Sequence, residues 1–388
     1  MPFHSTVFVL FLSILLSCTL PAVGFAAEDA SLKIRMSQVV ANDIVYLNDL
    51  AHNPQRILDT SRIRGLLDFA ELPKTKPADI GVPSLNGATG AYFEGSIDQP
   101  LAHVVTYQFN SEFPSFLVIP SSIRLNGWDE KPAESVPGIL DRLESSPAPF
   151  LMVRGREHEE ITPDLVTGTY FRYEVKRTFI ALKDKGRRYL ISITVQDEPS
   201  QIGRKGLVVD DAEWVYFYSG IEGVPITGLG WAKSYIYKSL VVNILFEPEP
   251  GKPHTRSVFF KWLDAGWNGI NMTKPHHLIE GFQRFFAGSK AMLESPKLPA
   301  PDHLARLTRN VQSLSEEELT VRLKPYAEFM ERAAAANSDL RRREYTPLIK
   351  NGAYMTNATR EEREVTLLRE YMKAIIGKPT PVELPAWE

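Results

Sequence analysis

The stretch Thr169–Gln196, TYFRYEVKRTFIALKDKGRRYLISITVQ, is the strongest indication of the fold, because it contains two alternating segments joined by a turn. Apolar and polar residues alternate from Thr169 to Leu182 and again from Arg188 to Gln196. A period of two is typical of strands that bury one face. The intervening Asp-Lys-Gly at residues 184–186 supplies a turn. The stretch therefore predicts an antiparallel β-hairpin.

More strands and one long helix follow this hairpin. Glu213–Tyr218 predicts a third strand, and Tyr235–Phe246 with Ser257–Leu263 predicts a second hairpin. The apolar period then changes from 2 to 3.6, which predicts a helix over Thr273–Glu294 with Thr273 as its N-cap. The apolar face of that helix comprises Leu278, Phe282, Phe285, Ser289 and Met292. We therefore expect residues 136–295 to form an antiparallel sheet packed on a long helix.

Residues 27–135, before this unit, are of mixed character. Helical spacing of apolar residues predicts helices over Ser37–Leu50 and Gln55–Phe69. Alternating segments predict strands at Ala91–Ile97, His103–Phe109 and Phe116–Leu125. We expect a mixed α/β N-terminal region.

Residues 296–388 are predicted to be helical. Ser315 with Glu318, and Thr359 with Glu362, have the spacing of capping boxes, in which two side chains satisfy free backbone N–H groups at a helix start. The whole pattern predicts an α+β fold: a central antiparallel sheet of helix-grip type packed on a long helix, with a helical C-terminal extension.

The first 26 residues have the pattern of an export signal. Val7–Ser17 is an apolar run of the length of a signal-peptide h-region, and no Asp, Glu, Lys or Arg occurs before Glu28. Small residues favour cleavage after Ala26. Two alternatives remain, namely a lipobox that would attach the chain to a membrane through Cys18, and an uncleaved anchor. Each places the folded part outside the cytoplasm, in the periplasm or outer envelope of a bacterial-type cell.

Composition excludes several classes of protein. The 388 residues include 44 Lys plus Arg and 47 Asp plus Glu, so the net charge is −3 and the basic excess of nucleic-acid-binding proteins is missing. Cys18 is the single cysteine, so the sequence predicts no disulfide and no thiolate metal site. No nucleotide-binding or catalytic motif is complete, and we expect no cofactor and no metal.

Rows of aromatic and aliphatic residues along the predicted strands are the most informative feature. One row contains Tyr173, Val175 and Phe179 together with Arg177. Comparable rows run through Tyr189–Val195, Leu240–Phe246 and Val258–Trp262. Together they are expected either to form a plain sheet core under the helix, or to line a ligand cavity around which a curved sheet grips the helix Thr273–Glu294. The residues predicted to contact a ligand are Arg177, Tyr173, Trp214, Tyr216 and Trp262, since Tyr and Trp combine an apolar body with a polar tip.

Arg177 is the residue of this set with the clearest chemical requirement. A charge on an otherwise apolar face needs a partner, because an unpaired buried charge is costly. Asp264, Glu213 and an anionic group of a ligand are the candidates.

Two histidines allow a different interpretation. His276 lies four residues before Glu280 on the predicted helix, and His158 precedes Glu159 and Glu160. Either imidazole, paired with a distant carboxylate, is a candidate general base for an envelope hydrolase.

The order of elements, with antiparallel strands followed by a long helix, resembles the helix-grip fold of START-like and related lipid-binding domains. This resemblance implies an interior that holds an apolar or amphipathic small molecule, such as a lipid, and it identifies no functional residue. The sequence therefore predicts an exported binding protein. A hydrolase and a structural or interaction module are the alternatives, and the oligomeric state stays open.

Overall fold

A computed structural model describes residues 34–72, 74, 80–226, 230–337, 355 and 357–385. The predicted signal segment 1–26, including Cys18, lies outside the described residues. None of the helices in the described part is long and apolar enough to cross a membrane.

The described ranges contain the following elements. The helices are α1 (Gln38–His52), α2 (Arg64–Glu71), α3 (Leu101–Gln108), α4 (Ile139–Glu144), α5 (Pro275–Leu293), α6 (Pro301–Gln312), α7 (Glu316–Ala336) and α8 (Arg360–Ile376). The strands are β1 (Ile34–Arg35), β2 (Ile80–Gly81), β3 (Thr89–Ile97), β4 (Ile123–Glu130), β5 (Phe150–Ile161), β6 (Thr169–Tyr170), β7 (Arg172–Asp184), β8 (Arg187–Gln196), β9 (Arg204–Asp210), β10 (Val215–Glu222), β11 (Val224–Ile226), β12 (Gly230–Ala232), β13 (Ser234–Phe246), β14 (Thr255–Trp267) and β15 (Ile270–Asn271).

The central sheet has the strand order β15-β14-β13-β8-β7-β5-β4, and β3 also pairs with β14. All neighbouring strands in it are antiparallel. The predicted hairpins are β7–β8 and β13–β14, and both are confirmed. The α+β fold class, with an antiparallel sheet on a long helix, is confirmed as well. The predicted N-terminal region contributes β3 and β4 to this same sheet.

The register of the strands separates the rows of apolar residues onto two faces. Ile180 of β7 lies opposite Ile191 of β8, so the odd-numbered residues of β7 share a face with the even-numbered residues of β8. The prediction that the rows of Arg177 and Tyr189 line one face was therefore wrong. Sequence alternation shows which residues of one strand share a face, but only the register shows how two strands align.

We call the face that carries Tyr189 the outer face. Its central part is apolar and covered by α1 and α2, because apolar residues of both helices join it in one buried cluster. The members of the cluster on the sheet include Ile180, Tyr189, Ile191, Ile193, Val195, Val242, Ile244, Val258, Phe260 and Trp262. The prediction that this face grips the helix after β14 was wrong, since the two N-terminal helices occupy it.

We call the opposite face, which carries Arg177, the interior face. Helix α5 packs here, where the rings of Phe93 on β3 and Phe259 on β14 contact that of Phe282 with centroids 5.7 and 5.2 Å apart. The helix is confirmed, but its N-cap is Lys274 rather than Thr273. Phe286 is buried where Phe285 was expected.

Two segments differ from the predicted strands. His103–Phe109 was predicted as a strand, but Leu101–Gln108 is helix α3. Leu101, Val104, Val105 and Gln108 are buried, which is the i, i+3, i+4, i+7 pattern of one helical face rather than the period of a strand. The predicted strand Phe116–Leu125 begins in a 3₁₀ turn at Ser115–Leu117, and β4 starts only at Ile123.

The C-terminal helices contact the sheet through its β4 edge. The guanidinium of Arg124 in β4 forms an ion pair of 2.8 Å with Glu362 in α8. Arg369 of α8 donates hydrogen bonds to the backbone carbonyls of Ile123 and Arg124, at 3.0 and 2.8 Å. Both predicted capping boxes, at Ser315 and Thr359, are present.

Candidate functional site

Arg177 is the centre of a charged cluster on the interior face. Its Nε donates a hydrogen bond of 2.8 Å to Glu157 on β5, and its Nη2 donates to Glu159 on the same strand. Its Nη1 donates to the hydroxyl of Thr194 on β8, at 2.6 Å. Alternation along β5 points both carboxylates to the face of Arg177. The partners of Arg177 are thus Glu157 and Glu159, and the expectation of Asp264 or Glu213 was wrong.

Further side chains complete the cluster at its edge. Asn126 of β4 donates a hydrogen bond of 2.5 Å to the second carboxylate oxygen of Glu157. Tyr173 contacts Glu159. Burial is the main cause that raises the pKa of its phenol well above the usual value, and the negative charge of Glu159 adds to this shift. Burial also raises the pKa of Glu157, while the nearby Arg177 opposes that shift. Burial alone would lower the pKa of Arg177, but the charges of Glu157 and Glu159 hold it above its ordinary value.

Lys261 is a second cation on the interior face. It lies on β14 between Val241 of β13 and Ala91 of β3. Among the residues that the structure describes, none forms a hydrogen bond or ion pair with its ammonium group. Burial lowers its pKa, and the more distant charge of Glu159 partly opposes this shift. The ammonium group of Lys261 therefore has no direct partner among the described residues.

Arg177 and Lys261 belong to one row across the interior face. Arg177 lies opposite Thr194, Thr194 lies opposite Val241, and Val241 lies opposite Lys261. Because direct partners in a sheet share a face, these four side chains point to the same side of the sheet.

Several side chains on this side of the sheet keep accessible surface. Thr194, Val241 and Lys261 are half-buried, as are Tyr173 and Arg177. On the outer face of the same central strands, Ile193 and Val242 are fully buried, at 0% exposure. We call the accessible space beside these five half-buried residues the interior recess. It combines aliphatic surface with charged groups, as binding sites for small molecules do.

The other predicted ligand residues lie elsewhere. Trp214 and Tyr216 belong to the hairpin β9–β10, which forms a small sheet with β6. The hydroxyl of Tyr216 donates to Asp211 at 2.7 Å, and Asp211 forms an ion pair with Arg284 of α5. This chain of contacts ties the small sheet to α5.

Trp262 lies on the outer face, opposite to the recess. Its indole N–H donates to the backbone carbonyl of Pro83 at 2.9 Å. Of the five residues predicted from the sequence, the structure thus brings together Arg177 and Tyr173. Trp214, Tyr216 and Trp262 do not belong to that cluster.

The two histidines predicted for a hydrolase do not belong to this cluster. His158 lies between Asp129 of β4, at 2.7 Å, and Glu361 of α8, at 2.9 Å. Its hydrogen bond to Glu361 is the main cause that raises its pKa. The same bond holds the pKa of Glu361 at about 2. Both ring nitrogens thus contact carboxylates rather than a nucleophilic hydroxyl, and His276 is exposed at the start of α5.

Three residues of the interior face were not predicted as site residues, although each belongs to a recognisable sequence pattern. Glu157 and Glu159 alternate within Phe150–Ile161, a period of two that places both acids on one strand face. Lys261 is a single charge within the apolar run Val258–Leu263, where a charge without an adjacent partner marks a functional candidate. Within the described residues, no group of three or more His, Cys, Asp or Glu side chains could hold a metal ion.

The fold and its interior define an α+β protein whose antiparallel sheet carries charged side chains on the same face as a long helix. No protein-family model and no curated protein matches the chain. Among solved structures, the chain is similar to the human StarD13 (DLC2) lipid transfer and protein localization domain, with a TM-score of 0.26 and 12% sequence identity. The similarity covers 61% of this chain and 96% of that domain. It carries no residue correspondence.

Proposed function

We propose that this protein binds an apolar or amphipathic small molecule, such as a lipid, in the interior recess. The observation that carries the proposal is the half-buried row of Arg177, Thr194, Val241 and Lys261, with Tyr173 on the same face, whereas Ile193 and Val242 on the outer face of the same strands are fully buried. A strand that only had to pack would be buried on both faces beneath its helices. A row that keeps accessible surface inside the fold leaves room for a ligand.

The surroundings of the recess suit an amphipathic molecule. Phe93, Phe259, Phe282 and Phe285 form an aromatic cluster beside it, with the rings of Phe259 and Phe285 5.8 Å apart. Lys261 shares the strand and the face of Phe259. The ligand would therefore contact aromatic surface with one part and charged groups with another.

A substitution that fills the recess tests this function. Val241→Trp places an indole in the accessible space, while Val321→Trp adds the same group at a position on α7 that is 70% exposed. We expect Val241→Trp to weaken binding of the apolar dye Nile red at least tenfold, and the control to change it less than twofold. Native mass spectrometry of the unextracted full chain should also show an added mass that organic solvent removes. Unchanged dye binding by Val241→Trp, with no added mass, would refute the proposal.

We also propose that the chain is exported. The support is the uncharged N-terminal segment with its apolar run Val7–Ser17. The mass of the protein recovered from a bacterial envelope fraction tests this. A chain that begins at Ala27 supports cleavage, a lipid-modified Cys18 supports membrane attachment, and an intact chain recovered only from the cytoplasm would refute export.

A further inference from the structure

We infer that the molecule held in the recess is an amphiphile with an anionic headgroup, and that Lys261 and Asn243 bind this headgroup. The inference rests on the proposed function and names the chemical class of its ligand. Its starting point is the difference between the two interior cations, because the protein itself neutralises only one of them.

The charge of Arg177 is already balanced by carboxylates of the protein. Its three nitrogen groups all donate to protein acceptors, two of them the carboxylates of Glu157 and Glu159. Glu157 is further fixed by the amide of Asn126. Binding an anion at Arg177 would break ion pairs that are almost completely removed from water, since the side chains of Glu157 and Glu159 are 5% and 10% exposed.

Lys261 is in the opposite situation. An ammonium group has three donors and no acceptor, and no described residue accepts from this one. Its strand neighbours on the interior face, Val241 and Ala91, are aliphatic. Glu159 acts on it only at a distance. A carboxylate or phosphate group would supply both the negative charge and the acceptor oxygens that Lys261 lacks.

Asn243 provides an independent indication at the same place. It is 6% exposed, yet its side-chain oxygen has no hydrogen-bond partner among the described residues. Asn243 lies opposite Phe259 on the interior face, and Lys261 follows Phe259 by two residues on that strand. The two side chains are thus diagonal neighbours, about 7 Å apart at the backbone. Since the amide can present its NH₂ group to this space, both side chains can donate to one anionic group.

Displacement of Nile red from the full chain tests the inference with three amphiphiles of equal tail length. Oleate and oleyl phosphate carry an anionic headgroup, and oleyl alcohol carries a neutral one. We expect at least one of the two anions to displace the dye at a concentration tenfold or more below that of the alcohol. The comparison between oleate and oleyl phosphate shows which anion the site prefers.

Variants connect this preference to the two residues. Lys261→Met should reduce the difference between anion and alcohol to less than threefold, while the affinity for the alcohol stays within twofold. Asn243→Leu should weaken binding of the anions more than that of the alcohol. Lys238→Met, which removes an exposed lysine from the neighbouring strand β13, should behave as the unaltered chain does.

The outcomes separate this inference from the proposed function. Equal displacement by anion and alcohol, or a preference that survives Lys261→Met, overturns the inference while binding in the recess stands. Failure of Nile red and all three amphiphiles to bind overturns both.

Discussion

The two faces of the central sheet belong to the same strands but differ in what they contain. On β8 and β13 the outer face carries Ile191, Ile193, Val242 and Ile244, all at 0% exposure beneath α1 and α2. The interior face of these strands carries Ser192, Thr194, Val241 and Asn243. At the middle of these strands the outer face is therefore a closely packed apolar core. The interior face keeps polar groups that reduce stability and that a ligand can use.

The largest effect is expected from Arg177→Met, which would leave two interior carboxylates without their cation. Removing one partner of a buried ion pair typically costs about 3 to 5 kcal/mol. We expect a loss of about 3 kcal/mol in the free energy of unfolding, measured by urea denaturation at neutral pH. The triple variant Arg177→Met/Glu157→Gln/Glu159→Gln serves as the control and should recover most of the loss. If the single variant is as stable as the triple one, the ion pairs are not formed in solution.

A matched pair of substitutions compares the two faces directly. Val242→Ala on the outer face should cost about 2 kcal/mol, because it removes two methyl groups from a closely packed core. Val241→Ala on the interior face should cost less than about 1 kcal/mol, because Val241 lies beside accessible space. Urea denaturation measures both. Equal losses would mean that the interior face is as closely packed as the outer one.

The contact between the sheet and α8 predicts a dependence on pH. Because the pKa of His158 is raised in the folded chain, its contribution to the free energy of unfolding is fully present below the unfolded pKa of 6.5. This contribution disappears as the pH rises through the raised pKa. Because the pKa of Glu361 is lowered to about 2, its contribution to the free energy of unfolding is present above the unfolded pKa of 4.5. This contribution disappears as the pH falls toward 2. The contact is therefore strongest between these two unfolded values.

His158→Ala tests this dependence. Because Glu361 is more than one-third exposed, solvent screening limits the expected loss to roughly 1 kcal/mol at about pH 5.5. The loss should be much smaller at about pH 9, where the imidazole of the unaltered chain is neutral. Urea denaturation at both values gives the comparison, and the exposed His276→Ala is the control. The same loss at both values would show that His158 acts through packing rather than charge.

The smallest effect is expected from Lys261→Met. Replacing a charge that is desolvated without a direct partner by an apolar side chain of similar length should stabilise the chain, by less than about 1 kcal/mol. A rise in the thermal unfolding midpoint relative to Lys238→Met measures this gain. A marked decrease would instead mean that Lys261 has a stabilising partner in the folded chain.

The sequence predicts the individual elements of the fold better than it predicts how they assemble. The hairpin over Thr169–Gln196 was predictable because alternation and turn residues are local signals. The capping boxes at Ser315 and Thr359 were predictable for the same reason. By contrast, the apolar pattern of the segment that forms α3 is too short to show whether the segment is a strand or a helix.

The site was less predictable because it depends on contacts between distant strands. Arg177 was identified as a charge that needs a partner, but its carboxylates lie on β5, which register alone brings beside β7. Trp262 was assigned to the wrong face for a related reason, since the register of β13 and β14 decides which rows coincide. A single sequence shows the alternation within each strand but not the alignment between strands.

The pairing of β3 with β14 has a consequence for how the chain acquires its structure. Thr89 pairs with Leu263 and Ile97 pairs with Thr255, so residues far apart in the sequence are direct neighbours in the sheet. A chain synthesised from its N-terminus cannot complete this sheet until the last of these residues has emerged. Such non-local pairing slows folding, because a long loop must close before the contact stabilises it. Truncation anywhere before β14 would thus leave β3 as an unpaired edge, which favours aggregation.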